Sequence, residues 1–318
     1  MWVQSVTMRA LLVVNPKATT TTERSRDVLL RALRSEVDLT VETTRRRGHG
    51  GELARQGAAE GVDIVVALGG DGTVNEIVNG LMADAAPGRR GGDADSRPAL
   101  AVVPGGSTNV FARALGLPRE PMEGTGAILE ALRLGSTRTV GLGLADDRYF
   151  TFCAGLGLDA AVIREVERAR LRGRTATPGR YLRTAVWQYL VGARGEPALA
   201  LERPGEEADT GLTTAIVQNS APWTYLGEHA VDPNPEASFD KGLDVLAFRS
   251  LRSPGSALAT LRMLHGPARG SHVLRRHDLS EFAVTSHRPE PFHLDGDYLG
   301  ERQKVRFLSV PEALRVIC

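Results

Sequence analysis

Three glycines and an aspartate stand together in Gly69-Gly70-Asp71-Gly72-Thr73, followed by Val74-Asn75-Glu76. Glycine admits positive φ and puts no Cβ in the way of a ligand. The apolar run at 62–67 before them reads as a buried strand, and Val74, Ile77, Val78 and Leu81 after them fall at helical spacing. The glycines therefore lie where a strand becomes a helix. A helix start presents free N–H groups and a partial positive charge, and both suit a phosphate. Asp71 is then an acid at the mouth of a phosphate pocket, placed to contact Mg²⁺ directly or through water. An ordinary strand-to-helix turn with an N-capping Asp71 or Thr73 is the plainer reading, and the density of glycine right after the strand favours the nucleotide.

The same grammar of strand, glycine-rich turn and helix recurs at 100–113, where Leu100-Ala101-Val102-Val103 runs into Pro104-Gly105-Gly106-Ser107-Thr108-Asn109-Val110-Phe111-Ala112-Arg113. An apolar strand at 9–14 ends in Asn15-Pro16-Lys17-Ala18-Thr19, a turn of small polar residues. A second strand at 37–44 ends at Thr44 and leads into the basic turn Arg45-Arg46-Arg47-Gly48, a solvated charge run unless it draws phosphate. Far downstream, Asp295-Gly296-Asp297 sets two carboxylates about a glycine. Such a pair can divide its work, one acid on Mg²⁺ or water and the other on a substrate proton. Taken alone, it reads as an Asp-Gly hairpin turn of type I′.

In this order the stretches resemble the diacylglycerol kinase catalytic family, which includes bacterial lipid kinases and sphingosine kinases. The Gly-Gly-Asp-Gly-Thr core is shared with NAD kinases and, more loosely, with phosphofructokinases; the continuation Asn75-Glu76 and the second signature at 104–113 tilt the match toward the lipid kinases. The resemblance implies ATP held by Asn15, Pro16, Lys17, Ala18, Thr19, Thr44, Gly69, Gly70, Asp71, Gly72, Thr73, Val74, Asn75, Glu76, Gly106, Ser107 and Asn109, with Mg²⁺ positioned through Asp71. It also implies a general base in the region the family writes Asp-Gly-Glu, here Asp297 or Asp295. Several positions depart from the family pattern. Thr19 stands near a usual glycine, Ser107 for threonine, Val110 for aspartate, and Asp297 for glutamate. At 233–245 the sequence resembles a region where some bacterial lipid kinases hold a structural Mg²⁺, but Lys241 replaces an acid there. A lysine cannot ligate Mg²⁺, so that site is expected to be absent, with Lys241 taking the ion's place beside Asp240.

The elements that must position these residues alternate strand and helix four times up to about residue 138. That pattern predicts a doubly wound parallel α/β domain, with ligands at the carboxyl ends of its strands. Neither a P-loop nor a Rossmann glycine fingerprint is present. From 139 to 299 many short strands predict a β-rich, sandwich-like second domain for the lipid, and the segment from about 300 to 318 is expected to pack back on the first. Residues 83–98, rich in Gly, Pro, Asp and Arg, read as a surface loop. Gly155-Leu156-Gly157-Leu158-Asp159-Ala160 resembles a third family motif, with Asp159 read as the N-cap of a helix reaching about residue 172. A further helix is expected at 253–266, and His265, His272 and His277 fit no zinc spacing.

The chain's 318 residues with 42% hydrophobic content suffice for two ordinary cores. A net charge of +1 argues neither for a nucleic-acid partner nor for a strongly acidic one, no nucleic-acid partner is expected, and two cysteines, Cys153 and Cys318, form no disulfide framework. No secretory leader and no membrane-spanning run are read, which points to the cytoplasm. Arg164, Arg168, Arg170, Arg172, Arg174, Arg180 and Arg183, followed by Trp187, Tyr189, Trp223 and Tyr225, suit peripheral contact with an anionic membrane. A solvated helix face with core aromatics explains them equally well, and an edge strand of the β domain could pair two copies. The expectation is an ATP-dependent kinase of a lipid hydroxyl, diacylglycerol first, acting in a cleft between the domains. A sphingoid-base or other lipid-alcohol kinase, an NAD kinase, and a non-catalytic nucleotide- or lipid-binding protein are the alternatives.

Overall fold

The computed structural model describes residues 8–18, 23–84, 94–171, 196–249, 262–263 and 266–318. It divides into two compact units, Met1–Val140 with Glu312–Cys318, and Gly141–Pro311. Thr19, the arginines from Arg172 to Arg183, Trp187, Tyr189, His265, most of the expected helix at 253–266 and most of the loop at 83–98 lie outside the described residues.

The first unit alternates β1 (Arg9–Val14), α1 (Glu23–Arg34), β2 (Asp38–Thr43), α2 (His49–Ala59), β3 (Ile64–Gly69), α3 (Asp71–Leu81), β4 (Ala99–Pro104), α4 (Val110–Ala114) and α5 (Pro121–Leu134). β2, β1, β3 and β4 lie side by side in that order, all parallel, and Val316 from the chain's end pairs with Leu100 on the far side of β4. β3 and β4 are buried at every residue, as continuous apolar strands in a sheet covered on both faces must be. On one face Leu12, Val66 and Val103 pack with Leu29 and Leu33 of α1 and Ile128 of α5. α2 and α3 cross in close contact, because a Cβ on Gly80 would fall on the carbonyl oxygen of Gly51. α5 opens with Pro121 in its first turn and closes on Gly135 in the left-handed conformation, the usual asymmetry of helix ends.

The second unit is mostly β. Its elements are β5 (Thr137–Ala145), β6 (Arg148–Phe150), β7 (Cys153–Gly157), α6 (Leu158–Leu171), β8 (Leu199–Glu202), β9 (Asp209–Leu212), β10 (Thr214–Gln218), β11 (Thr224–Leu226), β12 (His229–Val231), β13 (Leu243–Phe248), β14 (Val273–Leu279), β15 (Glu281–Leu294) and β16 (Asp297–Ile317). β14, β13, β10, β7, β15 and β16 follow one another as antiparallel neighbours. Side chains alternate between two apolar clusters. Ala215, Val217, Val245 and Ala247 join a core with Phe282 and Phe307, whose rings stack 5.1 Å apart. Ile216, Leu246 and Phe248 face the other way, toward Met263, Ala268 and Leu158. Both faces of this antiparallel sheet are therefore covered.

Candidate active site

The chemistry-bearing loops of the first unit all leave the carboxyl ends of parallel strands. Asn15 follows β1, Thr44 follows β2, Gly70 and Asp71 follow β3, and Gly105 to Asn109 follow β4. Backbone bonds lace these loops together: Asn15 N–H donates to Leu68 O at 2.9 Å, Thr44 N–H to Val14 O at 2.9 Å, and Gly105 N–H to Gly69 O at 2.8 Å. The two glycine turns touch main chain to main chain. A Cβ on Gly106 would lie 2.6 Å from the Cα of Gly70, so only glycine allows this approach. Ala18 closes the third side, its Cβ 3.1 Å from where a Cβ on Gly105 would stand.

Side chains then hold the turns in shape. Asn15 Nδ2 donates to Thr73 Oγ1 at 2.9 Å, while its Oδ1 accepts from Lys17 N–H at 2.9 Å. Asn109, buried and left-handed at φ 53°, accepts from Gly106 N–H and donates to Gly106 O, both at 2.8 Å. Asp71 Oδ1 accepts from Phe111 N–H at 3.2 Å, which ties the start of α3 to the first turn of α4. Gly70, Asp71 and Gly72 remain half-buried, and Ser107, Pro16 and Lys17 are exposed at the same sheet edge.

Three residues expected at the nucleotide have other work. Val74 and Asn75 are 2% and 1% exposed, so their side chains belong to the interior. Both carboxylate oxygens of Glu76 accept backbone N–H groups at the start of α2, from Gly48 at 2.7 Å and Gly50 at 3.1 Å. Glu76 thus satisfies donors that a helix start leaves free. No local signal announced this, since the partners are 28 and 26 residues apart. Val110, at the family's aspartate position, is buried in the first turn of α4.

In the second unit, Asp295 and Gly296 are the two central residues of a hairpin between β15 and β16, with φ of 48° and 79° and Leu294 opposite Asp297. This is the type I′ geometry. The Asp295 carboxylate is 4% exposed and accepts four hydrogen bonds: from Thr151 N–H (2.7 Å), Thr151 Oγ1 (2.9 Å), Phe152 N–H (3.0 Å) and Cys153 N–H (3.1 Å). A carboxylate held by so many fixed donors is a structural anchor for the 151–153 backbone. Asp297 is half-buried at the first position of β16.

Asp159 lies in the first turn of α6, but its carboxylate does not cap the helix as expected. It meets His293 Nε2 at 2.6 Å, both side chains being almost wholly buried. Gly155 makes room for this pair, since a Cβ there would collide with both partners. Lys241 lies within 3.3 Å of His277 Nε2, a partner the sequence did not suggest. Among the described residues, no cluster of three or more His, Cys, Asp or Glu is arranged to hold a metal, and no helix is long and apolar enough to cross a membrane.

Residues 9–145 match the family model described as the diacylglycerol kinase catalytic domain. The resemblance to the diacylglycerol kinase catalytic family is thereby shown. Over 151 residues, 48% of the chain, it is 39% identical to a Chromohalobacter salexigens protein named "Probable lipid kinase YegS-like", covering 44% of that protein. Over 121 residues, 38% of the chain, it is 37% identical to the diacylglycerol kinase of Bacillus subtilis, covering 35% of it. The chain therefore matches less than half the length of these curated relatives. The crystal structure of a diacylglycerol kinase from Bacillus anthracis superposes with a TM-score of 0.71 at 19% identity, covering 99% of this chain and 98% of that one. At that identity the likeness shows the fold.

Proposed function

We propose that the protein is an ATP-dependent lipid kinase that moves the γ-phosphate to a lipid hydroxyl, with diacylglycerol as acceptor and phosphatidic acid as product. One observation carries this reading: the two glycine turns, Gly69 to Gly72 and Gly105 to Ser107, lie against each other at the carboxyl edge of a parallel sheet. Bare N–H groups and a helix start at such an edge cradle phosphate oxygens. Thr44, Ser107 and the backbone of 69–75 would hold the nucleotide, and Asn15 and Asn109 keep the turns in shape. Asp71, held to the first turn of α4 by Phe111 N–H, would meet Mg²⁺ directly or through water; the ion would offset charge on the phosphates. Asp297 is the general base, because Asp295 is committed to the 151–153 backbone. It takes the proton of the acceptor hydroxyl as the oxygen attacks, and the rest of catalysis is positioning and charge stabilisation. The acceptor is reached from the membrane surface, the protein binding there peripherally from the cytoplasmic side.

The test is phosphate transfer from radiolabelled ATP to a mixed lipid extract in detergent micelles, with Asp71→Ala and Asp297→Ala beside the parent. A labelled lipid co-migrating with phosphatidic acid, reduced on the order of 10²-fold or more in both variants, is expected. A spot of other mobility would move the assignment to another lipid alcohol. Labelled NADP from NAD, or ATP binding with no labelled lipid, would sink the lipid-kinase reading.

A further inference from the structure

The turn that leads into β13 resembles a Mg²⁺-binding turn, yet its donor set does not fit the ion. The Ser238 carbonyl already accepts Lys241 N–H at 3.1 Å, and the Ser238 hydroxyl is engaged with Asp240. At the position where an acid would ligate stands the Lys241 ammonium, which has no lone pair to give and repels a divalent cation.

The ammonium is instead the outer end of a string that runs inward. Lys241 Nζ lies 3.3 Å from His277 Nε2, and His277 Nδ1 lies 2.7 and 2.9 Å from the two oxygens of Asp244. An ammonium can only donate and a carboxylate can only accept, so the ring accepts at Nε2 and donates from Nδ1. Asp244 is 1% exposed and also accepts Asp278 N–H at 3.1 Å. Asp278 in turn accepts Gly242 N–H at 2.6 Å, closing a ring of bonds around the turn. At this place the β13–β14 register shifts, between Leu243 and Val245. A buried carboxylate at an irregular strand pair needs a compensating charge or a full set of donors. Here the imidazole passes it the field of a cation that the chain itself supplies.

We propose that the Lys241–His277–Asp244 string is a built-in substitute for a divalent ion, holding the 238–242 turn to β14 without metal, and that the Lys241 ammonium is what chiefly closes the seat to Mg²⁺. The experiment is thermal unfolding of the nucleotide-free full chain, with EDTA or millimolar MgCl₂, together with bound-metal analysis. The parent is expected to unfold within about 1 °C of the same temperature in both, and to carry no stoichiometric metal after dialysis. Lys241→Met is expected to unfold about 2–4 °C lower, with no rescue by Mg²⁺. Lys241→Asp is expected to lose at least as much in EDTA and to regain it in Mg²⁺ with one bound equivalent. A parent that loses stability to EDTA, or a Lys241→Asp chain blind to Mg²⁺, would overturn the proposal. Should Lys241→Asp fail to fold, nitrogen-15 imidazole spectra of the parent decide: the His277 proton on Nδ1 supports the string, and a proton on Nε2 refutes it. None of these readouts uses phosphoryl transfer, so the kinase reading can fail separately.

Discussion

The carboxyl edge of the first unit and the hairpin end of the second hold their chemical groups by opposite means. At the first, main chain meets main chain: Gly70 against Gly106, Gly105 N–H on Gly69 O, Asn15 N–H on Leu68 O. Side chains there, Asn15 and Asn109 above all, serve to fix the turns. At the second, side chains take the place of the frame. Asp295 gathers the donors of 151–153, Asp159 pairs with His293, and Lys241 reaches Asp244 through His277. A phosphate site asks for many small, fixed N–H dipoles, which glycine turns provide. Placing one base against a hydroxyl asks for a rigid mount, which a buried, fully bonded carboxylate provides.

The contrast is most exposed at Asp295. Asp295→Ala leaves three backbone N–H groups without their acceptor and puts alanine at φ 48°. A stability loss of about 3–5 kcal/mol is expected, seen as a fall in melting temperature of about 10 °C or more. Asp297→Asn, beside it at a half-buried position, should lower the melting temperature by a clearly smaller amount. Equal losses in the two would mean that the hairpin does not divide anchor from base.

Gly106→Ala breaks the other region. The new methyl meets Gly70, and the two turns must part by several tenths of an ångström. The expected cost is about 1–3 kcal/mol of stability, with ATP affinity weakened on the order of tenfold by calorimetry. A variant that binds ATP as the parent does would show that the approach of the turns matters to packing alone.

The smallest effect sharpens the account of the second unit. Burial raises the Asp232 carboxyl above its ordinary range, the nearby Arg275 partly offsetting this, and its Oδ1 has no hydrogen-bond partner. Because the folded pKa is raised, the stability it contributes is present below the ordinary aspartate value and lost as pH rises through the folded one. Asp232→Asn should match the parent near about pH 3 and unfold about 1–2 °C higher at about pH 7. A gain that is the same at both pH values would show that charge is not the cause.

Much of the first region was legible in the sequence. Its strands are unbroken apolar runs, and its turns are marked by glycine, so strand, turn and helix fall in the expected places around Asp71 and Ser107. The bonding of the Glu76 side chain is not legible there, for a physical reason. It stands inside the motif, and nothing local shows that its carboxylate turns away to Gly48 and Gly50. In the second region Asp159 read as a helix cap, His293 drew no notice, and Asp295 could not be told from Asp297. Each depends on a partner more than 130 residues away: 134 for His293 and Asp159, 144 for Asp295 and Thr151.

By itself, then, the chain's local order determined the α/β alternation, the sheet edge where the glycine turns gather, and the family these resemble. Short-range rules suffice for that, because a strand's apolarity and a turn's glycine act over a few residues. Only the tertiary structure decided which carboxylate is an anchor, which histidine serves which acid, and where Lys241 points. Those outcomes turn on burial and on hydrogen bonds that close between strands distant in the chain, and a buried charge takes its role from the donors that the fold brings to it.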